Sequence, residues 1–262
     1  MKEFPFFLRF LRHRLRSGNR RGFGIHSPFL FSLVTEVIGN SGYREVPADL
    51  KKKHKELSRD KRCLNTGAFG AGSKVLKASL NKVSDIVKGS SVSPKWGSLL
   101  FRLVQWYRPT EIIELGTGLG LSTAYLARGG NMNVVSVEAS GEKCNFARNL
   151  MEELGIRNVR IIPGTFDKEL PELSRKAEEK TLWYIDGNHT SEATLKYADM
   201  ILKKGNTEAL LVFDDINWSE GMYSAWTKLM EDERITVSAD LFFMGILIVR
   251  EGMQKASLKL VF

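Results

Sequence analysis

The stretch that decides the fold of this 262-residue chain reads Glu111-Ile-Ile-Glu-Leu-Gly-Thr-Gly-Leu-Gly-Leu-Ser-Thr123. Its first part, Ile112 to Leu115, is a short apolar run with one acid, which is typical of a buried parallel strand. Three glycines follow, and a helix-forming run then begins. A strand that ends in glycines and resumes as a helix brings the backbone close to a ligand and directs free N–H groups towards it. The acid is Glu114, and the glycines are Gly116, Gly118 and Gly120.

The spacing of these glycines separates two classes of ligand. A dinucleotide-binding fold has the pattern G-x-G-x-x-G, whose third glycine lets the helix pack on the strand. Leu121 occupies that position here, and the spacing is G-x-G-x-G. The pattern therefore disfavours a nicotinamide-dependent dehydrogenase, while an ordinary strand–turn–helix with glycines for tight packing stays open.

Apolar, strand-like runs alternate with helical patterns from residue 111 onwards. This alternation predicts an α/β fold with a doubly wound, seven-stranded, mostly parallel sheet covered by helices on both faces. Only Leu241 to Met244 separate the last two strands, so these must form an antiparallel hairpin. The predicted strands are 111–115, 133–138, 158–163, 182–186, 209–213, 235–240 and 245–250, and the predicted helices are 121–129, 140–154, 189–203 and 219–232.

Polar residues follow the second and third predicted strands at their carboxyl ends, where open α/β sheets bind ligands. Glu138 ends the second strand, and a carboxylate there can accept both hydroxyls of a ribose. Gly164-Thr-Phe166 follows the third strand and can lie along an adenine and stack on it. Together with the glycines, these residues predict a nucleoside site.

Three carboxylates follow the fourth and fifth predicted strands, namely Asp186, Asp214 and Asp215. Carboxylates on adjacent strand ends repel one another unless something positive lies between them. A divalent cation such as Mg²⁺, Ca²⁺ or Mn²⁺, which prefers oxygen ligands, is the simplest such partner. The alternative is that only Asp186 faces the cleft, while Asp214 or Asp215 caps the next helix.

An acid two residues ahead of Gly-x-Gly-x-Gly resembles motif I of the class I S-adenosylmethionine-dependent methyltransferases, and the C-terminal hairpin is similar to theirs. Residues 91–250 resemble, more narrowly, the cation-dependent catechol O-methyltransferase type. The resemblance implies that Ser91-Val-Ser-Pro-Lys-Trp-Gly97 is the entry segment, with Val92 touching the cofactor. It further implies cofactor contacts from Glu114, Gly116, Thr117, Gly118, Gly120, Ser122, Glu138, Ala139, Gly164, Thr165, Phe166 and Asp186.

The same resemblance implies a metal site and a general base. Asp186 and Asp214 match two metal-binding aspartates of that group, and Asp215 stands where the group usually has Asn. His189 stands where the group usually has its lysine base. An imidazole, with an ordinary pKa of about 6.5, is a competent base near neutral pH, although His189 could instead cap the helix that begins there.

Other segments resemble an uncharacterised bacterial branch of the same class, in which a metal need not be present. The Asp-Gly-x-His pattern that ends at His189 belongs to this resemblance. No substrate comes with it, and it extends over the full chain. Its remaining segments are Gly24-Ile-His-Ser-Pro-Phe29, Gly70-Ala-Gly-Ser73 and Phe213-Asp-Asp-Ile-Asn-Trp-Ser-Glu220.

The implied reaction is O-methylation of a small-molecule hydroxyl by S-adenosylmethionine. Mg²⁺ would acidify the hydroxyl and His189 would take its proton, while Asn188, Trp218 and Glu220 are candidates to shape the acceptor pocket. A nucleic-acid methyltransferase that uses a basic N-terminal arm is one alternative, although Phe213 to Ile216 do not form a base-flipping motif. An NAD-dependent oxidoreductase and a non-enzymatic binding module are the others.

Composition places the chain among soluble globular proteins, with 43% apolar and 26% charged residues. No apolar run approaches the ~18 residues of a membrane-spanning helix, and the N-terminus lacks the pattern of a secretory leader. Cys63 and Cys144 fit no metal or redox spacing, so we expect two reduced thiols. These features predict a cytoplasmic protein.

The net charge of +9 is confined to the N-terminal segment. Residues 1–62 hold 15 Lys and Arg against 6 Asp and Glu, whereas the remainder is balanced. Residues 1–90 are therefore predicted to form a basic helical extension, acting as a cap or a homodimer contact, and residues 91–262 the methyltransferase domain. Such an extension can contact nucleic acid or anionic lipid, or remain a solvated arm.

Within this extension, residues 4–16 predict an amphipathic helix. An apolar set lies at helical spacing, and arginines lie on the other side. Such a helix can lie on a membrane surface or dock a partner, but more often it packs on its own domain. The apolar set is Phe7, Leu8, Leu11 and Leu15; Ser27 and Pro28 are predicted to begin the next helix, residues 67–73 to form a loop, and residues 74–87 and 97–106 to form helices.

Overall fold

The computed structural model describes residues 6–18, 21–39, 46–66, 80–202 and 207–262. The chain divides into two compact units. One, the middle unit, is residues 44–178, and the other, the N/C unit, combines residues 1–43 with residues 179–262. These units do not follow the predicted division at residue 90, which stays a prediction about the extension and the domain.

The described elements alternate between helices and strands along most of the chain. The helices are α1 (Phe6–Arg16), α2 (Pro28–Ser32, continued by a π-helical turn over Leu33–Ile38), α3 (Ala48–Leu57), α4 (Val83–Ser90), α5 (Pro94–Tyr107), α6 (Leu121–Arg128), α7 (Gly141–Glu153), α8 (Phe166–Lys176), α9 (Ser191–Leu202) and α10 (Glu220–Glu231). The strands are β1 (Cys63–Asn65), β2 (Leu80–Lys82), β3 (Glu111–Leu115), β4 (Asn133–Glu138), β5 (Val159–Pro163), β6 (Thr181–Ile185), β7 (Glu208–Phe213), β8 (Val237–Asp240), β9 (Gly245–Arg250) and β10 (Ala256–Lys259).

Eight of these strands, β3 to β10, divide between the two units, three in the middle unit and five in the N/C unit. Within the middle unit the order is β3-β4-β5, all parallel. Within the N/C unit the order is β10-β8-β9-β7-β6, where β6 and β7 are parallel and β9 is antiparallel to both β7 and β8. The predicted α/β class, with a mostly parallel sheet and a C-terminal antiparallel hairpin, is confirmed.

Strands β6 and β7 form where apolar and aromatic residues follow one another, whereas β3 and β4 contain Glu114 and Ser136. All five residues of β6 are buried, and Trp183 within it is fully enclosed. Strands that are buried on both faces need such continuous apolar runs. Because the strands are parallel, their carboxyl ends share one edge: Ile185 pairs with Phe213 in the N/C unit, and Leu115 pairs with Val137 in the middle unit.

Three elements differ from the prediction. In its described part, the helix expected over 74–87 is correct for 83–87 and wrong for 80–82, because Leu80–Lys82 pairs with Cys63–Asn65 as a small antiparallel ladder and the helix is Val83–Ser90. Helix α8 was not predicted, and it carries Pro171 in its interior. An eighth strand, β10, adds to the edge of the sheet parallel to β8. The predicted loop over 67–73 lies outside the described residues.

The local signals at α2 and at the cysteines hold. Ser27 is the N-cap of α2, accepts a hydrogen bond from the N–H of Leu30 at 3.4 Å, and precedes Pro28 in the first turn. Cys63 is exposed and Cys144 is buried, and both are free thiols.

Helix α1 is held on the N/C unit by a face that the sequence pattern did not identify. His13, only 5% exposed, places Nε2 3.1 Å from the Asp240 carboxylate. Phe6 and Phe10 pack edge-on against Phe242, with ring centroids 5.2 and 5.0 Å apart. Phe242 has φ 74°, a left-handed conformation that costs an aromatic residue energy, and its N–H is fixed by Asp240 at 2.9 Å. The apolar set predicted for α1 therefore does not make this contact.

We expect Asp240→Asn to lower the free energy of unfolding by about 2 kcal/mol, because a charged acceptor shared by two buried donors is lost. Burial alone would raise the pKa of Asp240, but His13, the Phe242 N–H and Lys259 hold this pKa below its usual range. A carboxyl with a lowered folded-state pKa stabilises the protein above its unfolded-state pKa and stops doing so as the pH falls through the folded-state value.

The measurement is thermal unfolding of both proteins between pH 7 and pH 3. The variant should melt roughly 4–8 °C lower at neutral pH, and the gap should close below about pH 4. Asp199→Asn is the matched control, because Asp199 forms an exposed pair with Arg234 at 2.9 Å and such pairs contribute about 0–1 kcal/mol. A gap that is the same at every pH would contradict the ionic role of Asp240.

Candidate functional site

In the middle unit, the loop between β3 and α6 depends on its three glycines. Gly116, Gly118 and Gly120 have φ of 112°, 53° and 88°, a region that side chains other than glycine rarely adopt. The N–H groups of Gly116 and Thr117 both donate to the Val137 carbonyl, at 3.0 and 3.2 Å. The loop is thereby folded back onto the end of β4.

The glycines serve different purposes. A Cβ at Gly120 would lie 3.0 Å from the Cβ of Ala147, so this glycine lets the loop pack closely on α7. A Cβ at Gly118 would meet no atom within 4 Å among the described residues. Open space beside an exposed backbone in a left-handed conformation is what a ligand-binding loop provides.

Glu114 is completely buried at the end of β3. Its Oε2 accepts hydrogen bonds from Thr123 and Ser136, both at 2.5 Å. Ser136 uses its only hydrogen there, so Thr117 donates to Ser136 in turn, at 2.5 Å. Burial raises the pKa of Glu114, and Glu138 adds to this, against the hydrogen bonds from Ser122, Ser136 and Thr123.

The second carboxylate oxygen of Glu114, Oε1, is buried and has no hydrogen-bond partner among the described residues. A buried, unpaired carboxylate oxygen is costly. A cationic or hydrogen-donating ligand group would remove that cost and would also lower the raised pKa. The observation therefore fits a ligand that carries an ammonium group.

Glu138 ends β4 and fastens the glycine loop. Its Oε2 accepts the N–H of Gly118 at 3.0 Å, and its Oε1 accepts the N–H of Ser140 at 2.9 Å. Its backbone carbonyl accepts the N–H of Gly164 at 3.0 Å. Each carboxylate oxygen keeps a free lone pair, so Glu138 can hold the loop and still accept hydroxyl donors from a ligand.

The other residues with predicted cofactor contacts in the middle unit follow these strands or precede its helices. Val92 is buried between α4 and α5, Ser122 is buried in the first turn of α6, and Ala139 is half-buried directly after β4. A Cβ at Gly164 would lie 2.7 Å from Glu169 Oε1, so that position is tightly enclosed. Thr165 is the N-cap of α8 and Phe166 is its first residue. Asp186 belongs to the N/C unit.

In the N/C unit, the three predicted aspartates come together. Asp186 follows β6 directly, and Asp214 follows the paired end of β7. The hydroxyl of Tyr184 lies 3.1 Å from Asp214 Oδ2 and 3.3 Å from Asp186 Oδ2, and it can donate its one hydrogen to either. Asp215 lies beside them with φ 54°, an uncommon conformation that Asp tolerates better than most residues.

The His189 imidazole lies beside two of these carboxylates. Its Nε2 lies 3.6 Å from Asp186 Oδ1 and 3.9 Å from Asp215 Oδ2. The pKa of Asp214 is raised well above its usual value by burial and by repulsion from Asp186 and Asp215, which His189 and the Asp215 N–H partly offset. Burial likewise raises the pKa of Asp215, against the effect of His189.

The predicted metal site at Asp186, Asp214 and Asp215 stays a prediction. Within the part of the chain that the structure describes, no three His, Cys, Asp or Glu side chains are grouped so that they could hold a metal ion. Asp186 and Asp214 are joined by the Tyr184 hydroxyl, and the His189 imidazole lies beside Asp186 and Asp215.

The three candidates for an acceptor pocket have different contacts. Asn188 has φ 51° and donates to the Tyr197 hydroxyl at 3.0 Å. Trp218 is half-buried, and its N–H donates to the Asp215 carbonyl at 2.9 Å. Glu220 instead lines a groove beside α1. Of the three, Trp218 has the backbone contact to the aspartate cluster.

Sequence reasoning missed Tyr184 and Ser136, although a signal for both was present. Tyr184 precedes Asp186 by two residues, and Ser136 precedes Glu138 by two. Side chains two apart on a strand share a face, so each had to lie beside the acid that follows it. Ser136 is in addition the cross-strand partner of Glu114.

Residues 113–216 match the family of proteins described as a methyltransferase domain. The fold is similar to that of the class I methyltransferases. The match begins inside β3 and ends just after the aspartate pair, so it covers both clusters described above. It confirms the predicted enzyme class, an S-adenosylmethionine-dependent methyltransferase. Separately, no helix of the described residues is long and apolar enough to cross a membrane.

Similar proteins agree with this domain. Over 95 residues the chain is 27% identical to the protein-L-isoaspartate O-methyltransferase of Pyrococcus abyssi (strain GE5 / Orsay), which is 36% of this chain but only 44% of that protein. The fold is similar to the SAH-bound Podospora anserina methyltransferase PaMTH1, with a TM-score of 0.58, 18% identity, and 87% and 100% of the two chains covered. It is also similar to the O-methyltransferase from Bacillus cereus in complex with SAH, with a TM-score of 0.55, 19% identity, and 83% and 97% covered.

Proposed function

We propose that this methyltransferase domain moves the methyl group of S-adenosylmethionine to the hydroxyl oxygen of a small molecule, with His189 as the general base. The observation that carries the proposal is the His189 imidazole beside Asp186 and Asp215 in a protein whose glycine loop is built for a nucleoside. The Pyrococcus abyssi and Bacillus cereus proteins are both named as O-methyltransferases, which supports an oxygen acceptor.

The loop in the middle unit suits S-adenosylmethionine better than NAD. The unpaired buried oxygen of Glu114 is a partner for the ammonium of the methionine group, which NAD lacks. Glu138 keeps lone pairs for the two ribose hydroxyls. The open space at Gly118 leaves the backbone accessible. When bound, S-adenosylmethionine supplies a methyl group on a positively charged sulfur. This sulfur is the leaving group and becomes a neutral thioether when the methyl group is transferred.

The cluster in the N/C unit suits proton removal. As the acceptor oxygen bonds to the methyl carbon, its proton must leave, and His189 Nε2 would take it. Asp186 and Asp215, 3.6 and 3.9 Å from Nε2, would stabilise the imidazolium that results. Tyr184 would keep Asp186 in place through its hydroxyl.

The divalent cation implied by the resemblance stays a prediction, and we propose that the reaction does not need it. In this proposal His189 Nε2 takes the proton itself, and no three His, Cys, Asp or Glu side chains of the described residues are grouped so that they could hold a metal ion. The homodimer contact, the nucleic-acid contact and the cytoplasmic location also stay predictions.

The test is transfer of labelled methyl from S-adenosylmethionine to a panel of catechols, phenols and aliphatic alcohols. The enzyme should first be dialysed against EDTA. We expect methylation of an oxygen acceptor at a rate that differs less than about twofold with and without Mg²⁺, since a catalytic metal contributes several kcal/mol. A rate that depends on Mg²⁺ would restore the predicted metal role of Asp186, Asp214 and Asp215. Methylation of nucleic acid, but of no small molecule, would overturn the acceptor class.

A further inference from the structure

The outer face of α1, opposite the face that packs on the N/C unit, is apolar and exposed. His13, Phe6 and Phe10 occupy the inner face. At 3.6 residues per turn, the opposite face carries four large apolar side chains in a continuous stripe. Leu15 is 79% exposed and Phe7 68% exposed, and the other two members of the stripe are Leu8 and Leu11.

This exposure is concentrated on one helix. Ten large apolar side chains are exposed among the described residues, and five of them lie on the eleven residues of α1. Scattered exposed apolar residues are normal on protein surfaces, but a contiguous apolar face bordered by polar residues marks an interaction surface.

Arginines border the stripe on both sides. On the helical wheel Arg14 lies beside Phe7, while Arg12 and Arg16 lie beyond Leu8 and Leu15, and all three are exposed. Helix α1 contains no acidic residue. Long arginine side chains can extend from such positions so that the guanidinium reaches a polar layer while the stem covers apolar surface.

Further positive charge adjoins this border. A groove of about 980 Å³ between α1 and α10 is lined by Arg9, Arg12, Arg16, Lys228 and Lys259, together with the acids Glu220 and Asp240. Asp240 is already paired, with His13 at 3.1 Å and Lys259 at 3.7 Å. The net charge of the groove is therefore positive beside an exposed apolar stripe.

We propose that α1 binds the surface of a bilayer that contains anionic phospholipid. In this arrangement Phe7, Leu8, Leu11 and Leu15 enter the acyl boundary, and Arg12, Arg14 and Arg16 contact the headgroups. A helix in the interfacial plane with an apolar face and a basic border has these features. The rest of the N/C unit packs against the opposite side of α1, so the body of this unit does not obstruct the contact.

Charge selects this occupant over two others. A symmetric contact with a second copy of the chain would bring the same arginines together across the two-fold axis, and like charges there repel. A nucleic acid would neutralise the arginines but would leave the apolar stripe in water. An anionic bilayer satisfies both sets of side chains, through headgroup phosphates and acyl chains.

The test is flotation of the full-length protein with vesicles of phosphatidylcholine alone and of phosphatidylcholine with one-third phosphatidylglycerol. We expect binding only to the vesicles that contain phosphatidylglycerol, and this binding should weaken as the salt concentration rises. Leu11→Glu with Leu15→Glu should weaken binding by at least about tenfold, since each buried methylene contributes to insertion. Arg12→Gln with Arg14→Gln and Arg16→Gln should weaken binding by about fivefold for each arginine.

The matched control is Leu80→Glu, because Leu80 is 60% exposed on β2 of the middle unit; this variant should bind as the wild type does. Each variant is checked for folding by thermal unfolding, and its oligomeric state is measured by sedimentation. Equal binding to both kinds of vesicle, or to neither, would overturn the proposal. Binding that Leu11→Glu with Leu15→Glu leaves unchanged would also overturn the proposal. So would a dimer that these two substitutions dissociate into monomers.

Discussion

Replacing His189 with alanine is expected to lower kcat by about 10²–10⁴-fold, the range that a positioned general base contributes. The affinity for S-adenosylhomocysteine should stay within about threefold, because His189 is proposed to act on the acceptor's proton and is not among the proposed cofactor contacts. Removal of the imidazole also leaves Asp186 and Asp215 without the ring that lies 3.6 and 3.9 Å from them. The pH dependence of kcat should therefore change shape along with its magnitude.

The matched control for this variant is His26→Ala. His26 is exposed and precedes the N-cap of α2, so its loss should leave kcat within about twofold of the wild type. If His189→Ala retains full kcat, the general-base role is wrong and His189 serves only to neutralise the aspartates. A loss in thermal stability without a loss in kcat would lead to the same conclusion.

Replacing Gly118 with alanine should weaken S-adenosylhomocysteine binding by about 10- to 100-fold, equivalent to ~1.4–2.7 kcal/mol. The new Cβ enters the space that no described atom occupies within 4 Å. It also strains a backbone held at φ 53° by the bond from its N–H to Glu138. Calorimetric titration measures the affinity, and thermal unfolding measures the cost of the strain.

Gly155→Ala separates strain from ligand contact. Gly155 lies in the same unit with φ 64°, and a Cβ there also meets no described atom within 4 Å. Both substitutions should lower the free energy of unfolding by a similar amount, about 1 kcal/mol. Only Gly118→Ala should lose affinity. Equal affinities in the two variants would show that the loop does not contact the cofactor.

Much of the fold could be predicted because its signals are local. Largely apolar runs mark β3, β4, β6 and β7, and the short link at 241–244 requires a hairpin. The elements that were missed lack such signals. Helix α8 carries an internal proline, which normally argues against a helix, and β10 is a four-residue edge strand, Ala-Ser-Leu-Lys, with little apolar character.

The grouping of the site was predictable for a similar reason, whereas its detailed geometry was not. Adjacent parallel strands bring Asp186 and Asp214 together whatever their side chains do. Whether three carboxylates converge on one point depends on backbone angles such as φ 54° at Asp215. It also depends on a hydroxyl from Tyr184 between two of them. Neither is visible in the order of the residues.

The inner face of α1 shows the same limit. Phe6, Phe10 and His13 face the protein because Phe242 and Asp240 offer an aromatic surface and a buried carboxylate. Helical spacing alone identified the more continuous apolar set, which is the exposed one. A tertiary partner more than two hundred residues away decided which face of the helix became buried.

Whether the glycine loop binds S-adenosylmethionine and not NAD is tested by calorimetric titration of the wild-type protein with S-adenosylhomocysteine and, side by side, with NAD, in the presence of EDTA. We expect one S-adenosylhomocysteine per chain with a Kd in the micromolar range, a binding free energy of about −8 kcal/mol, and no heat of binding with NAD. Binding of NAD, or no binding of S-adenosylhomocysteine by a folded protein, would contradict the assignment of the glycine loop and with it the proposed methyl transfer.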